Sequence, residues 1–257
     1  MTPPALFLSH GAPTLALANN FFTHAWAELG VVIGRPEAIL VVSAHWDTPA
    51  PVATAAARLA TIHDFAGFPE ELYRVRYEPA GSPALAARVA SLLGAAGHPT
   101  ALDETRGIDH GAWVPLRWMY PDADIPVVQL SVQSALGARH HLGIGRALSP
   151  LRGEGVLVIG SGGIVHTLGE IDWGRRPDEP FPWAATFNEW MATKVAEGAI
   201  ESLADYRGLA PESVRAHPTE EHLMPFFVAL GAGSPPARRL SLGIDMGSLG
   251  MDAYAFG

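Results

Sequence analysis

Histidine is the residue type that dominates the chemistry open to this chain. The 257 residues include 11 histidines and no cysteine, so thiol nucleophiles, disulfides and cysteine-ligated zinc sites are excluded. Neutral imidazole is the commonest protein ligand for metals, and it also carries protons near neutral pH. Any metal bound by this chain must therefore be held by histidine, aspartate or glutamate.

Three histidines are placed in ways that suggest a shared site. His10, His45 and His166 each follow a short apolar run beside small residues, and His110 lies ahead of another such run. A single histidine in such a place ordinarily fixes a loop by hydrogen bonding, but three together predict a common site. A catalytic divalent metal needs about three protein ligands and an open position. No His-Glu-x-x-His or other short metal motif is present, so the ligands would come from separate loops.

Most of the remaining histidines are expected to have no part in this site. His63 and His217 stay open between a structural and a functional role. Four others lie in polar or helical surroundings and are expected at the surface: His24, His98, His140 and His141.

The apolar runs predict the elements that would position these histidines. Residues 5–8, 38–42, 127–132 and 156–159 are short, apolar and bounded by turn residues, which is typical of buried parallel strands. Helical patterns cover residues 82–96, where Ser82 is a good N-cap and Pro83 suits the first turn. Further helices are predicted over 183–203 and from 219 or 225 to 231.

This alternation predicts an α/β fold in which residues 1–257 form a single catalytic domain. The central sheet would be largely parallel or mixed and flanked by helices. In open sheets of this kind, ligands bind at the carboxyl ends of the strands, where loops from separate strands converge. His10, His45 and His166 all lie just past predicted strand ends, so residues far apart in sequence would meet at one edge.

The composition of the chain limits the kinds of binding partner and the cellular compartment that we expect. The formal net charge is −9, from 17 basic and 26 acidic residues, and no cluster of Lys and Arg is present, which argues against nucleic acid as a partner. No apolar run reaches the roughly 18 residues that a transmembrane helix needs. No basic signal-peptide region is seen, so we expect a cytoplasmic protein. The oligomeric state stays open.

Six blocks of sequence carry a family resemblance. They are residues 8–13 (LSHGAP), 43–46 (SAHW), 62–69 (IHDFAGFP), 109–113 (DHGAW), 160–166 (GSGGIVH) and 222–225 (HLMP). In this order they resemble the class III extradiol aromatic-ring-opening dioxygenases, specifically the 4,5-DOPA dioxygenase type. The resemblance extends from Leu6 to Asp252, which is nearly the whole chain.

The resemblance implies a non-haem metal centre. Fe(II) would serve ring cleavage, and Zn(II) is also found in members of this subgroup. By the match, His10, His45 and His222 take the metal-ligand positions. His166 matches a histidine that acts as acid or base or as an additional, fourth ligand. His110 matches a histidine that contacts the substrate or supports a ligand.

One ligand position departs from the wider class. Other class III enzymes have a carboxylate where this chain has His222. An all-histidine site is less anionic and suits zinc as well as iron, so the choice of metal stays open. His217, close by in sequence, is an alternative to His222. Glu220 and Glu221 are expected to place favourable charge in the first turn of a helix.

The implied reaction inserts O2 into a catechol, which is DOPA-like in this subgroup, and opens the ring beside the diol to give a semialdehyde. His166 would take a proton from the catechol, and His110 would hydrogen-bond the substrate or the oxygen. Trp46 and Phe65 are candidate walls for the aromatic ring, and plain core packing is the alternative role for both. The glycines of residues 160–163 are expected to form a tight turn.

Two other functions stay open from the residues alone. One is a zinc hydrolase, in which zinc bound by histidines would make a nucleophile of its water. The other is a protein on this fold that binds a partner without catalysis.

Overall fold

An eight-stranded sheet forms the centre of the fold. The structure is a computed structural model, and it describes residues 2–257. Its strands are β1 (Ala5–Ser9), β2 (Ala38–Asp47), β3 (Val52–Thr54), β4 (Ala101–Asp103), β5 (Val127–Val132), β6 (Val156–Gly162), β7 (Ala237–Leu240) and β10 (Ala253–Phe256). Their spatial order is β4-β3-β5-β2-β6-β1-β10-β7. Two short strands, β8 (Ile244–Asp245) and β9 (Leu249–Gly250), pair separately.

The four middle strands of the sheet are parallel. β2 pairs in parallel with both β5 and β6, and β6 pairs in parallel with β1. The antiparallel pairs are β3 with β5, β1 with β10 and β10 with β7. The prediction of an α/β fold with a largely parallel or mixed sheet is therefore confirmed, and the carboxyl ends of β1, β2 and β6 share one edge.

Helices cover both faces of this sheet. They are α1 (Phe21–Ile33), α2 (Glu70–Arg74), α3 (Pro83–Ala95), α4 (His110–Met119), α5 (Gly137–Leu148), α6 (Pro150–Gly153), α7 (Pro182–Ala196), α8 (Ile200–Ala204), α9 (Tyr206–Leu209), α10 (Ser213–Ala216) and α11 (Met224–Ala232). None of the helices within residues 2–257 combines the length and apolar character that crossing a bilayer requires.

Two apolar layers follow from the alternation of side chains along the buried strands. On one face, Leu6 and Leu8 of β1 belong to the cluster that contains Trp26 of α1 and Trp113 of α4. On the other face, Phe7 belongs to the cluster formed with α3, α5, α7 and α11. Because both faces are covered, the strands are apolar throughout rather than alternating, as parallel sheets require.

Several predicted boundaries differ from the structure. The helix predicted over 82–96 is confirmed as α3, with the Ser82 hydroxyl accepting the Leu85 N–H. The helix predicted over 183–203 is present but interrupted, because α7 ends at Ala196 and α8 begins only at Ile200. Gly198 lies between them with a φ of 65°, a backbone conformation that breaks a helix.

The last predicted helix, α11, begins at Met224, so His222 lies in the segment before it. The glycines after residue 159 do not form the tight turn that we expected. β6 continues to Gly162, and a Cβ on Gly162 would lie 2.0 Å from the His222 carbonyl oxygen. A Cβ on Gly160 would lie 2.1 Å from the Pro225 carbonyl oxygen. These two glycines therefore allow the segment that carries His222 to pack directly on the strand.

Candidate active site

Three histidines converge at the carboxyl edge of the sheet. His10 directly follows β1, His45 lies near the end of β2, and His222 lies in the segment that packs on β6. β2 is longer than predicted, so His45 belongs to the strand rather than to the loop after it. The Gly163 N–H donates to the His222 carbonyl at 2.9 Å, which holds the third histidine against the other two.

Each of these three rings has its Nδ1 directed toward a protein oxygen. The His10 Nδ1 lies 3.0 Å from the Ser161 hydroxyl oxygen, and the His222 Nδ1 lies 3.0 Å from a Glu221 carboxylate oxygen. The Ser161 hydroxyl donates its own proton to the Gly111 carbonyl, so it accepts from His10. The His45 Nδ1 lies 3.5 Å from the Asp64 carboxylate. For His10 and His222 the proton therefore belongs on Nδ1 and the lone pair on Nε2, and the negative charge of Asp64 favours the same arrangement in His45.

The three Nε2 atoms face one another. The His45 Nε2 lies 2.9 Å from that of His10 and 3.2 Å from that of His222. Lone pairs this close repel one another unless a cation lies between them. Nitrogens bound at about 2.1 Å to one metal at right angles would be about 3 Å apart. The donor set and its spacing therefore fit a divalent metal ion.

The electrostatics of these rings agree with neutral, ligand-competent imidazoles. Burial lowers the pKa of His10 well below its usual value, and the nearby charge of His45 lowers it further. Burial also lowers the pKa of His222, with His166 and His45 adding to the effect. For His45, burial and His110 outweigh Asp64, so its pKa is lowered as well. A metal competes with a proton for Nε2, and the absence of that proton favours metal binding.

Two further histidines complete the cluster. The ring of His166 stacks on that of His222, with centroids 3.3 Å apart and planes within 7° of parallel. Burial, with a smaller contribution from His110, lowers the pKa of His166 to about 4. The ring of His110, at the start of α4, lies 3.9 Å from that of His45, centroid to centroid.

A cavity of about 670 Å³ opens onto this cluster. All five histidines line it, together with two carboxylates, Asp64 and Glu221. Its walls are mainly apolar and come from two loops: Phe65 and Phe68 before α2, and Leu168, Ile171 and Trp173 after β6. A cavity of this size with apolar walls and few polar groups is typical of a site for a small molecule.

Two carboxylates in this site were missed by the sequence interpretation. Asp64 accepts from both the backbone N–H and the Nδ1 of His110, each at 3.0 Å. Burial raises the pKa of Asp64, but the hydrogen bonds and charge of His110 outweigh this and bring it to about 2. Glu220 and Glu221 both precede α11, so the expected role in a first helical turn is wrong for both, and Glu221 bonds to His222 instead.

Only one of the two aromatic residues that the sequence suggested as pocket walls lines the cavity. Phe65 lines the cavity. Trp46 is not among the lining residues, and its ring instead lies against the Arg106 guanidinium, 4.4 Å from ring centroid to Cζ. Successive residues of a strand point to opposite faces, so the neighbour of a cavity-facing His45 is directed away.

The surroundings of two further histidines, His217 and His141, indicate what each of them does. The His217 Nε2 bonds to the Ile164 carbonyl at 2.8 Å, and its ring is not part of the group formed by His10, His45 and His222. The geometry therefore favours His222 over His217 as a ligand. The expectation that His141 lies at the surface is wrong, because it is buried within α5.

The chain is similar to known proteins over nearly its whole length. Residues 3–246 match the family described as the catalytic LigB subunit of aromatic ring-opening dioxygenase. The chain is 44% identical to the 4,5-DOPA dioxygenase extradiol of Escherichia coli (strain K12), over 99% of this chain and 94% of that protein. It is also 44% identical to the protein of the same name from Portulaca grandiflora, over 98% of this chain and 95% of the relative.

A solved structure shares the fold. The crystal structure of an uncharacterized protein from Escherichia coli K12 superposes with a TM-score of 0.83 at 39% identity. The match covers 99% of this chain and 100% of that chain, so the sheet and the surrounding helices described above are common to both proteins.

Proposed function

Because the chain belongs to the LigB family of aromatic ring-opening dioxygenases, we propose that it opens the ring of a catechol with a DOPA-like side chain. As a member of that family it is a metal-dependent extradiol dioxygenase that acts on a small aromatic molecule and O2. The proposed substrate follows the names of its relatives. The proposed product is a semialdehyde that contains both atoms of O2, and residues 1–257 would act as one catalytic domain.

The proposed metal ligands are His10, His45 and His222, through their Nε2 atoms. The observation that carries this proposal is the convergence of three Nε2 lone pairs whose rings all place Nδ1 against a protein oxygen. The proposed metal is Fe(II), and Zn(II) would fit the same nitrogens. Bound iron would supply a centre at which the catechol oxygens and O2 are held together and exchange electron density.

The chain's own residues would orient the catechol and accept its protons. Phe65, Ile171 and Trp173 provide apolar walls that fit an aromatic ring and exclude water. His166, held by stacking on His222, would take a proton from a substrate hydroxyl. His110 faces the same cavity and would hydrogen-bond the substrate, with its Nδ1 already held by Asp64.

The two alternative functions, a zinc hydrolase and a non-catalytic binding protein, are disfavoured. Family membership favours the dioxygenase over both, since the matched family is defined by ring opening. The all-histidine donor set alone would have suited either enzyme.

Oxygen uptake tests the proposal. The protein is loaded with Fe(II) without air, then exposed to O2 with a panel of catechols that includes DOPA, and a Zn(II)-loaded sample serves as the control. We expect uptake of one O2 per catechol and a new yellow absorbance, with iron only. Tight metal binding without uptake on any catechol would contradict the proposed reaction.

A further inference from the structure

Asp64 makes contacts that no part of the proposed reaction has yet used. It lies in the loop between β3 and α2, where His63 and Phe65 flank it. The His63 Nε2 donates to the Val75 carbonyl at 3.1 Å, and Phe65 packs on Tyr73 with ring centroids 5.3 Å apart. The contacts of His63 and Phe65 therefore hold the loop in place on both sides of Asp64. Its carboxylate is therefore held toward the histidines rather than extended into solvent.

The carboxylate joins two histidines of different proposed roles. One oxygen, Oδ1, accepts from the His110 backbone N–H and from the His110 Nδ1, both at 3.0 Å. The other oxygen, Oδ2, lies 3.5 Å from the His45 Nδ1. A carboxylate without a proton only accepts hydrogen bonds, so the His110 ring must present an N–H at Nδ1. In the neutral ring, Nε2 then carries the lone pair.

His166 differs from His110 in this respect. Its ring is held by stacking on His222, and the hydrogen bond that His166 donates, to the Ala216 carbonyl, comes from its backbone N–H rather than from the ring. Stacking fixes the plane of a ring but does not decide which nitrogen carries the proton. Of the two cavity histidines outside the three Nε2 ligands, only His110 has its tautomer set by the protein.

We propose that Asp64 is a positioning residue that fixes His110 as the Nδ1–H tautomer and orients the ring of His45. His110 then presents a hydrogen-bond acceptor, Nε2, to a substrate hydroxyl. The part of this proposal that concerns substrate rests on the proposed ring-cleavage function. The part that concerns the tautomer does not, because it follows from the three contacts of Asp64.

Side-chain NMR tests the tautomer directly. Long-range ¹H–¹⁵N spectra of the Zn(II)-loaded protein report which ring nitrogen carries the proton, and an H110Q variant assigns the His110 signals. In the unmodified protein we expect a protonated Nδ1 and an unprotonated Nε2. Asp64→Ala should allow the Nε2–H form to appear. Asp64→Asn should keep more of the Nδ1–H form than Asp64→Ala, because an amide oxygen still accepts. An unchanged His110 pattern in Asp64→Ala would overturn the proposal.

Kinetics of the Fe(II)-loaded variants supply the second readout. With kinetics normalised to bound iron, Asp64→Ala should lower kcat by about 10-fold to 100-fold, the usual effect of removing such a partner. The KM for the catechol should change much less, and Asp64→Asn should lie between. Glu71→Gln is the matched control, because it removes one negative charge from the nearby helix α2 without touching the cavity.

The two proposals fail in different ways. If the unmodified protein opens no catechol while Asp64→Ala shifts the His110 tautomer, the proposed function is wrong and the role of Asp64 stands. If the protein is active and Asp64→Ala changes neither the spectrum nor kcat, the role of Asp64 is wrong. Equal losses in Glu71→Gln and Asp64→Ala would also overturn it, since they would indicate a general charge effect.

Discussion

Two groups of histidines in this chain look alike in sequence and differ in structure. The central histidines are His10, His45, His110, His166 and His222. The outer histidines are His98, His140 and His141, near the amino-terminal end of α5, with neighbouring ring centroids 5.0 and 5.1 Å apart. Both groups are clusters with a buried member. Clustering and burial alone therefore do not distinguish a metal site.

The distinction lies in what each ring nitrogen contacts. The His141 Nδ1 donates to the Gly137 carbonyl at 2.7 Å, and its Nε2 accepts the Gln133 N–H at 3.1 Å. Both of its nitrogens are thus satisfied by backbone groups. In the central group, the Nε2 atoms of His10, His45 and His222 have mainly one another. Buried acceptors that face one another without a donor are suited to bind a cation, whereas a ring with both nitrogens hydrogen-bonded has a structural role.

The largest effect should come from removing a proposed ligand. His222→Ala or His45→Ala should lose nearly all bound metal after loading and desalting, because two nitrogens cannot replace three. Ring-opening activity should fall by about 1,000-fold or more, as expected when a catalytic metal is lost. Metal analysis and oxygen uptake measure the two losses.

His140→Ala is the control from the outer group. It should keep full metal content, since its Nε2 contacts the Gln133 side chain at 3.1 Å and lies outside the cavity. Full metal binding by His222→Ala, or metal loss in His140→Ala, would remove the distinction drawn between the two groups.

A smaller effect should follow from weakening the support of a ligand. Glu221→Gln replaces the carboxylate that accepts from the His222 Nδ1, so His222 should become a poorer ligand. Metal affinity should fall by about 10-fold to 100-fold, measured by competition with a chelator.

Glu220→Gln provides the comparison for that variant. Glu220 is adjacent in sequence, but it contacts the Tyr206 hydroxyl at 2.6 Å rather than a histidine. Equal changes in metal affinity for the two variants would show that the carboxylate at position 221 has no specific role.

Replacing His141 should have the smallest effect on metal content, because this histidine affects the stability of the fold instead. Burial lowers the pKa of His141 to about 4, whereas it is near 6.5 in an unfolded chain. Between these values the unfolded state binds more protons, so the native state loses stability as the pH falls from about 6.5 to about 4. This loss is at most about 3 kcal/mol.

His141→Gln removes that titration and should flatten this part of the pH dependence. Urea unfolding between pH 4 and 7, compared with the unmodified protein, measures the difference. Metal content at pH 7 should stay unchanged. A variant with the same pH dependence as the unmodified protein would contradict the assignment of His141.

The sequence predicted the parts of the molecule that depend on local pattern. The four middle strands of the sheet were found from apolar runs, and α3 was found from Ser82, Pro83 and its apolar face. The placement of His10 and His45 at one edge followed from the rule that parallel strands share their carboxyl ends. His222, which no such rule identifies, was named only through the family resemblance.

The parts that could not be predicted depend on contacts between distant residues. Asp64 and His110 are 46 residues apart, and no local pattern joins them. The direction of Trp46 depends on how β2 continues past Val42, where its register with β5 shifts. His141 looked like a surface residue because α5 is polar in sequence, yet its ring packs inward and bonds to Gln133.

The close contact between Gly162 and the His222 carbonyl links metal retention to chain assembly. His222 reaches His10 and His45 only after the carboxyl-terminal third of the chain has packed on β6. With these three as ligands, an unfolded or half-assembled chain has no site of comparable affinity. Metal would then bind the native state alone and stabilise it by about 1.4 kcal/mol for each tenfold excess over the dissociation constant. The amount of metal retained by a preparation would therefore measure the fraction of molecules that have completed their fold.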